Sequence, residues 1–155
     1  MKSILFVCLG NICRSPTAKA VFDYKLARAG LTVETDSAGT GDWHIGKPPD
    51  RRSQAFALDW GVDMSAQRAR QVCIDDFSRF DALFAMDRSN LADLRRLAPA
   101  GARARVELVM SLAPHYGLDE VPDPYYGGDA GFRRVIDMLE TAADRWIAEL
   151  TAGSK

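Results

Sequence analysis

The amino-terminal segment is the feature that most limits how this chain can fold. Residues 2–8 read Lys-Ser-Ile-Leu-Phe-Val-Cys, a nearly continuous apolar run with the length of a strand. Such a run is typical of a strand buried on both faces, as in parallel sheets covered by helices. A polar stretch, 10–15, follows at once, and Ser15 with Pro16 then predicts a helix start with Ser15 as the N-cap. This order of segments predicts an α/β protein.

The same alternation continues along the chain. We predict further strands at 32–37, 80–86 and 106–110, and helices at 16–28, 51–60 and 88–97, with Asp50 as the N-cap of the helix at 51–60. The last helix has a clear apolar face, formed by Phe132, Val135, Ile136, Leu139, Ala143, Trp146, Ile147 and Leu150. Strands that alternate with helices form a parallel sheet covered on both sides, and ligands bind beyond the carboxyl ends of its strands. The segment after the first strand is expected there.

The composition argues against several classes of protein. The 155 residues, 47% of them hydrophobic and 26% charged, are typical of one soluble globular domain, with 152–155 expected to be a disordered tail. A net charge of −1 gives no reason to expect a nucleic-acid or membrane partner. Three cysteines are too few for a disulfide framework and favour a reducing, cytoplasmic location. Two histidines without ligand spacing argue against a zinc site.

The loop after the first strand combines a nucleophile with groups that bind anions. Cys8 and Arg14 flank Gly10 and Asn11, which both tolerate left-handed backbone geometry. Successive N–H groups of such a loop can turn inward, and the helix N-terminus adds partial positive charge. Arg14 supplies a planar fork that matches two phosphate oxygens. The same groups favour the thiolate of Cys8, so the loop meets the requirements for displacement at phosphorus.

The spacing of cysteine and arginine is weak evidence by itself. Cys73 and Arg79 repeat it, but the segment between them carries Asp75 and Asp76 and no glycine, so it would repel an anion. The context of the first loop therefore distinguishes the two pairs. Cys73 is expected to be a packing residue.

The first loop resembles that of a known family. Cys8-Leu-Gly-Asn-Ile-Cys-Arg-Ser-Pro16 is similar to the phosphate-binding loop of the low-molecular-weight protein tyrosine phosphatases. Further family segments follow in order, namely Asp36-Ser-Ala-Gly39, Trp43-His44, Pro49-Asp50-Arg51, Ala69-Arg70-Gln71, Asp76-Phe77, Met86-Asp87 and Val121-Pro-Asp-Pro-Tyr-Tyr-Gly-Gly128. The resemblance covers essentially the whole chain. It implies a single-domain α/β fold with a doubly wound four-stranded parallel sheet of flavodoxin-like topology, order 2-1-3-4, that needs no metal or cofactor.

The resemblance also implies which residues act on the substrate. Cys8 would be the nucleophile that forms a cysteinyl-phosphate, Arg14 the transition-state binder, and Asp123 the general acid and then base. Residues implied to bind phosphate or substrate are Leu9, Gly10, Asn11, Ile12, Cys13, Ser15, Trp43, Tyr125 and Tyr126. The substrates would be phosphotyrosine-containing proteins, and a monomer with at most weak self-association is expected.

Two further roles follow from the same resemblance. Asn11, Ser15 and Ser37 are implied to support the loop through side-chain hydrogen bonds. Cys13 would trap oxidised Cys8 as a disulfide and so protect it from irreversible oxidation. The chain departs from the family at 66–67, where Ala and Gln stand at the place of a histidine found in many eukaryotic members.

Three alternatives stay open at this point. Protein arginine phosphatases resemble the chain but carry Thr where Ile12 stands, and an apolar Ile favours an aryl ring. Thiol-dependent arsenate reductases share the loop but pass electrons along further cysteines, and only Cys73 lies outside the loop here. A non-catalytic phosphate-binding module, or a redox switch built on Cys8 and Cys13, would bind phosphate without turnover.

Overall fold

A parallel sheet covered by helices forms the protein. The computed structural model describes residues 2–124 and 128–153. Within these residues the strands are β1 (Ser3–Cys8), β2 (Glu34–Gly39), β3 (Ala82–Ala85) and β4 (Arg105–Leu108), all parallel, in the order β2-β1-β3-β4. The helices are α1 (Arg14–Arg28), α2 (Arg51–Trp60), α3 (Asp76–Arg79), α4 (Arg88–Leu97) and α5 (Gly128–Gly153). The predicted four-stranded α/β sheet and its strand order are confirmed.

Strand β1 lies at the centre of the sheet with both faces covered. All six of its residues are buried. Ile4 and Phe6 pack on the side of α1 and α5, where the Phe22 ring lies 4.6 Å from Phe6 and 5.9 Å from Trp146 between ring centroids. Leu5 and its neighbours on the other face pack on the side of α4. The predicted strand buried on both faces is confirmed, and it gives the loop at its end a rigid base.

Several element boundaries differ from the prediction. Strand β2 extends to Gly39, two residues further than predicted, because it pairs with β1 in register as far as Cys8. Strand β4 ends at Leu108, where the chain turns into a 3-10 helix at Val109–Leu112. Helix α3 was not predicted, since four residues are too short for a periodic pattern. The bounds of α2 and α4 are as predicted, and α2 has its predicted N-cap, Asp50.

The prediction that Ser15 caps α1 is wrong. The helix begins at Arg14, and Cys13 occupies the N-cap position without a side-chain hydrogen bond to the backbone. Pro16 is therefore the third helical residue, a position whose N–H has no partner inside the helix in any case. The Ser15 hydroxyl is 3.0 Å from the sulfur of Cys8 instead. The Ser15 side chain therefore contacts Cys8 and does not cap the helix.

The helices of the described ranges give no candidate for a bilayer span. None of them combines the length and the apolar character that crossing a membrane requires.

Gly39 is the point where β2 approaches the loop after β1 most closely. A Cβ there would lie 2.7 Å from the carbonyl oxygen of Leu9 and 3.2 Å from Asn11. Since a backbone carbonyl cannot move aside without shifting the loop, we expect Gly39→Ala to destabilise the protein by about 1–3 kcal/mol. Urea unfolding monitored by circular dichroism measures this loss.

Gly131→Ala is the matched control for that substitution. Its Cβ would meet Pro124 at 3.6 Å, an ordinary van der Waals distance, and alanine is favoured over glycine in a helix. We expect Gly131→Ala to be as stable as the unmodified protein or more so. Equal unfolding midpoints for the two variants would contradict the close approach at Gly39.

Candidate active site

A cleft opens at the carboxyl end of β1, where the sequence predicted the site. Its volume is about 350 Å³. It is lined by Cys8, Leu9, Gly10, Ile12, Cys13, Arg14, Trp43, His44, Asp50 and Asp123. The three predicted catalytic residues, Cys8, Arg14 and Asp123, therefore face one space although they come from the first and last thirds of the chain. The predicted substrate-binding residues Tyr125 and Tyr126 lie outside the described residues.

Cys8 ends β1, and a backbone N–H and a hydroxyl lie within hydrogen-bond distance of its sulfur. Its side chain is buried, with the backbone N–H of Asn11 donating to Sγ at 3.3 Å. The Ser15 hydroxyl lies 3.0 Å from the same sulfur and accepts a hydrogen bond from Asn11 Nδ2 at 2.9 Å. Because Ser15 Oγ already accepts there, its own hydrogen can be donated to Cys8, which is nearer than its other acceptor, the Ala38 carbonyl at 3.4 Å. Both donors stabilise negative charge on the sulfur.

Asn11 holds the loop in a left-handed turn. Its φ of 56° is the only positive value at a non-glycine residue among 2–124 and 128–153. The side chain is fully hydrogen-bonded: Nδ2 donates to Ser15 Oγ and to Ser37 Oγ at 2.9 Å each, and Oδ1 accepts from Arg70 N at 2.9 Å. These three bonds hold a backbone conformation that asparagine adopts at some cost. The predicted trio Asn11, Ser15 and Ser37 thus meets behind the cleft.

Gln67 completes this hydrogen-bonded network. Its Oε1 accepts from Ser37 Oγ at 3.3 Å, and its Nε2 donates to the Pro16 carbonyl at 3.0 Å. Gln67 is one of the two residues, 66–67, at which the chain departs from the family pattern. A neutral amide therefore accepts from Ser37 here and is itself anchored by its donor to the backbone of Pro16. The sequence showed the departure but not this contact, since the two segments are distant in the chain.

Arg14 is oriented from behind by groups that the sequence analysis did not assign. Its Nη1 donates to Asp87 Oδ2 at 2.7 Å and to the Val121 carbonyl at 3.0 Å. Burial by itself would lower the pKa of Arg14, but the hydrogen bond to Asp87 and the nearby negative charges, Cys8 included, raise it above its ordinary value. The guanidinium is therefore a permanent cation beside Cys8.

Asp87 lies at the carboxyl end of β3, where its two oxygens accept hydrogen bonds from different partners. One oxygen binds Arg14, and Oδ1 accepts from the backbone N–H of Asn90, which caps α4. The signal available in the sequence was its position, just after a predicted strand and at the same sheet edge as Cys8. Its partner across the chain could not be identified without the fold.

The outer wall of the cleft comes from loops. Asp123 lies between Pro122 and Pro124 and its side chain is exposed. Trp43 is 65% exposed. His44 packs on the loop that follows β1, since a Cβ on Gly10 would lie 3.0 Å from the His44 ring. Because Gly10 has no side chain, the loop after β1 and the loop that carries His44 can approach each other closely.

Cys13 and Cys73 differ sharply in their surroundings. Burial raises the pKa of Cys13 to about 12, an effect that a hydrogen bond with Ser53 at 3.0 Å only partly offsets. Cys13 is therefore a thiol at neutral pH. Cys73 is exposed, so the prediction that it is a packing residue is wrong. It lies in the turn before α3, which the sequence pattern did not resolve.

The groups facing the cleft suit an oxyanion rather than a metal. Across 2–124 and 128–153, no three His, Cys, Asp or Glu side chains are grouped as a metal site would require. The Arg14 cation, the N-terminus of α1 and the Asn11 N–H favour an anion beside the sulfur.

Comparison with known proteins agrees with this geometry. The profile of the family described as low molecular weight phosphotyrosine protein phosphatase matches residues 3–155. The low molecular weight protein-tyrosine-phosphatase of Streptomyces coelicolor is 46% identical, over 94% of this chain and 91% of the relative. The crystal structure of a protein tyrosine phosphatase from Entamoeba histolytica has a TM-score of 0.93, with 39% identity and full coverage of both chains.

One solved structure that is similar to this chain is named for a different activity. The crystal structure of the Drosophila arginine phosphatase has a TM-score of 0.90 and 30% identity, and covers 97% of this chain and 98% of that one. The full-length profile match and the close relatives nevertheless establish one family. The chain belongs to the low molecular weight phosphotyrosine protein phosphatases.

Proposed function

We propose that this protein hydrolyses phosphotyrosine in proteins through a cysteinyl-phosphate intermediate. The observation that carries the proposal is the position of the Cys8 sulfur. The Asn11 N–H donates to it and the Ser15 hydroxyl lies 3.0 Å from it, at the floor of a cleft that Arg14 and Asp123 also line. A stabilised sulfur anion, a fixed cation and a carboxyl group are what phosphoryl transfer to cysteine requires. Membership of the family supports the same reaction.

In the first step, the Cys8 sulfur attacks phosphorus in line with the phenolic oxygen. The S–P bond forms as the P–O bond to the ring breaks. Arg14 and the inward N–H groups of the loop bind the equatorial oxygens of the transferring phosphoryl group. Asp123, in its acid form, gives its proton to the departing phenolic oxygen.

In the second step, water hydrolyses the intermediate. The Asp123 carboxylate takes a proton from the attacking water, a P–O bond forms, and the S–P bond breaks. Cys8 leaves as a thiolate that receives hydrogen bonds from Ser15 and from the Asn11 N–H. Inorganic phosphate is then released, and Asp123 is again protonated for the next cycle.

Substrate selection would depend on the apolar sides of the cleft. Leu9, Ile12 and Trp43 line it and offer surfaces for an aromatic ring. Tyr125 and Tyr126 are proposed to complete this wall by resemblance to the family. The proposed substrates are phosphotyrosine-containing proteins of the cytoplasm, on which the chain would act as a monomer.

The first test compares the unmodified protein with Cys8→Ser and Asp123→Ala on two aryl phosphates. We expect Cys8→Ser to lose turnover while still binding inorganic phosphate, because the anion site remains. We expect Asp123→Ala to lower kcat by about 10²–10⁴-fold for phenyl phosphate, a poor leaving group, and much less for p-nitrophenyl phosphate. Steady-state kinetics and phosphate titration measure these effects.

Two outcomes would contradict the mechanism. Turnover that survives Cys8→Ser would remove the proposed nucleophile. Phosphate binding without any turnover in the unmodified protein would favour a non-catalytic module instead.

Hydrolysis of phosphoarginine is the second candidate, favoured by the similarity to the Drosophila arginine phosphatase. Ile12 lines the cleft and has no hydroxyl to offer a guanidinium group. We expect kcat/KM for phosphotyrosine to exceed that for phosphoarginine by at least about tenfold, and Ile12→Thr to reduce that ratio. Parallel kinetics on both phosphoamino acids decide this. A preference of the unmodified protein for phosphoarginine would reverse the assignment.

We also propose that Cys13 protects Cys8 from irreversible oxidation. A peroxide would transfer oxygen to the Cys8 thiolate, its O–O bond breaking to leave hydroxide or water, and so give a sulfenic acid. The Cys13 sulfur would then attack the Cys8 sulfur, forming the S–S bond and releasing the sulfenic oxygen as water. A thiol reductant would restore both thiols.

The pKa of Cys13 sets the pH dependence of that protection. Because burial raises it to about 12, the reactive thiolate becomes more abundant as pH rises from 7 to 9, and ring closure should accelerate. We expect dithiothreitol to restore activity to the peroxide-treated protein but not to Cys13→Ser. Cys73→Ser, which changes an exposed cysteine, is the control and should recover fully. Full recovery of Cys13→Ser would exclude the proposed role.

A further inference from the structure

Arg70 has no part in the proposed chemistry, yet two carboxylates hold its side chain. Nε donates to Asp36 Oδ2 at 3.0 Å, and Nη1 and Nη2 donate to the two oxygens of Asp76 at 3.0 Å each. The Asp76 side chain is only 4% exposed and also accepts from the backbone N–H of Cys73 at 2.9 Å. A two-pronged bond to a buried carboxylate fixes the guanidinium far better than one exposed ion pair would.

Arg70 and Asp76, which form the two-pronged hydrogen bond, both stay charged. Burial by itself would raise the pKa of Asp76, but the hydrogen bonds from Arg70 and from Cys73 outweigh it and lower the pKa below its ordinary value. Burial would likewise lower the pKa of Arg70, and the bonds to Asp76 raise it. In the clamp formed by Asp36, Arg70 and Asp76, the central Arg70–Asp76 pair is therefore ionised throughout the neutral range.

The backbone of the clamped residue touches the site directly. The Arg70 N–H donates to Asn11 Oδ1 at 2.9 Å, and its carbonyl accepts from Gly39 N at 2.8 Å. The preceding residue, Ala69, accepts from Gly46 N at 2.8 Å and donates to the Lys47 carbonyl at 2.9 Å. One short segment thus connects the phosphate loop, the end of β2 and the loop that carries Trp43 and His44.

The bond to Asn11 determines which way its amide faces. With Oδ1 bound to the Arg70 N–H, Nδ2 must donate to Ser15 and to Ser37. Ser15 then accepts from Asn11, and its own hydrogen can go to the Cys8 sulfur at 3.0 Å or to the more distant Ala38 carbonyl at 3.4 Å, so that the nearer sulfur is the favoured acceptor. If the Asn11 amide were rotated by 180°, its oxygen would face Ser15. It would then compete with Cys8 for the hydrogen of the Ser15 hydroxyl.

We propose that Arg70 is a positioning residue, whose ion pairs with Asp36 and Asp76 hold its backbone N–H on Asn11 and thereby direct the Ser15 hydrogen to Cys8. The kinetic readout of this inference rests on the proposed phosphatase function. The step most affected is the departure of the Cys8 thiolate, so the effect falls on kcat rather than on KM.

A double-mutant cycle tests whether Arg70 acts through Asn11. Arg70→Met removes the clamp, and Asn11→Gly removes the amide but keeps a residue that tolerates a positive φ. We expect Arg70→Met to lower kcat for p-nitrophenyl phosphate about tenfold with little change in KM, and to change kcat less than about twofold in the Asn11→Gly background. A general loss of structure would instead lower kcat by the same factor in both backgrounds, which would overturn the proposal.

Two further variants serve this cycle, one as a control and one as a substitute for Arg70→Met. Arg105→Met breaks the ion pair with Glu107 on β4, which has no bond to the loop, and should leave kcat unchanged. If Arg70→Met does not fold, Asp36→Asn removes one partner of the clamp while Asp76 still holds Arg70. The same cycle with Asn11→Gly then applies, with a smaller drop in kcat expected.

Alkylation of Cys8 by iodoacetate separates this inference from the proposed function. The rate follows the state of the sulfur and needs no phosphatase activity. We expect slower alkylation in Arg70→Met than in the unmodified protein, and no further slowing when Asn11→Gly is already present. A protein without turnover that shows this pattern would lose the proposed function and keep the positioning role. Alkylation rates unaffected by Arg70→Met would exclude that role.

Discussion

The hydrogen bonds of one buried asparagine hold the site together. Asn11 adopts a left-handed backbone conformation, and its side chain joins Ser15, Ser37 and the backbone of Arg70. The turn aims its own N–H at the Cys8 sulfur, while the amide donates to the Ser15 hydroxyl that lies beside the same sulfur. A single side chain therefore couples the shape of the loop to the hydrogen bonds around Cys8.

The layered fold explains why these groups meet. Parallel strands bring their carboxyl ends to one edge of the sheet, so Cys8 after β1 and Asp87 after β3 are close although far apart in the chain. Asp87 in turn orients Arg14 at the first turn of α1. Because β1 is buried on both faces, the loop at its end rests on a packed core, and small displacements there are costly.

Much of the fold could be predicted because its signals are local. The apolar run of β1, the Asp50 cap of α2 and the apolar face of α5 each lie within a few residues. The errors came where local preference competes with tertiary contacts. Ser15 is a good N-cap residue, but its hydroxyl gains a buried sulfur partner instead, and the helix starts two residues earlier than predicted. Cys73 was expected in the core because cysteine is usually buried, yet it lies in an exposed turn.

The sequence by itself determined the α/β order of elements, the placing of Cys8 and Arg14 in one loop, and the family, because these depend on residues adjacent in the chain. Only the tertiary structure decided which groups orient them: Asp87 behind Arg14, Gln67 behind Ser37, and the Asp36–Arg70–Asp76 clamp behind Asn11. The physical reason is that a hydrogen bond between distant segments depends on how helices and strands pack. Neither partner carries a local pattern that identifies the other.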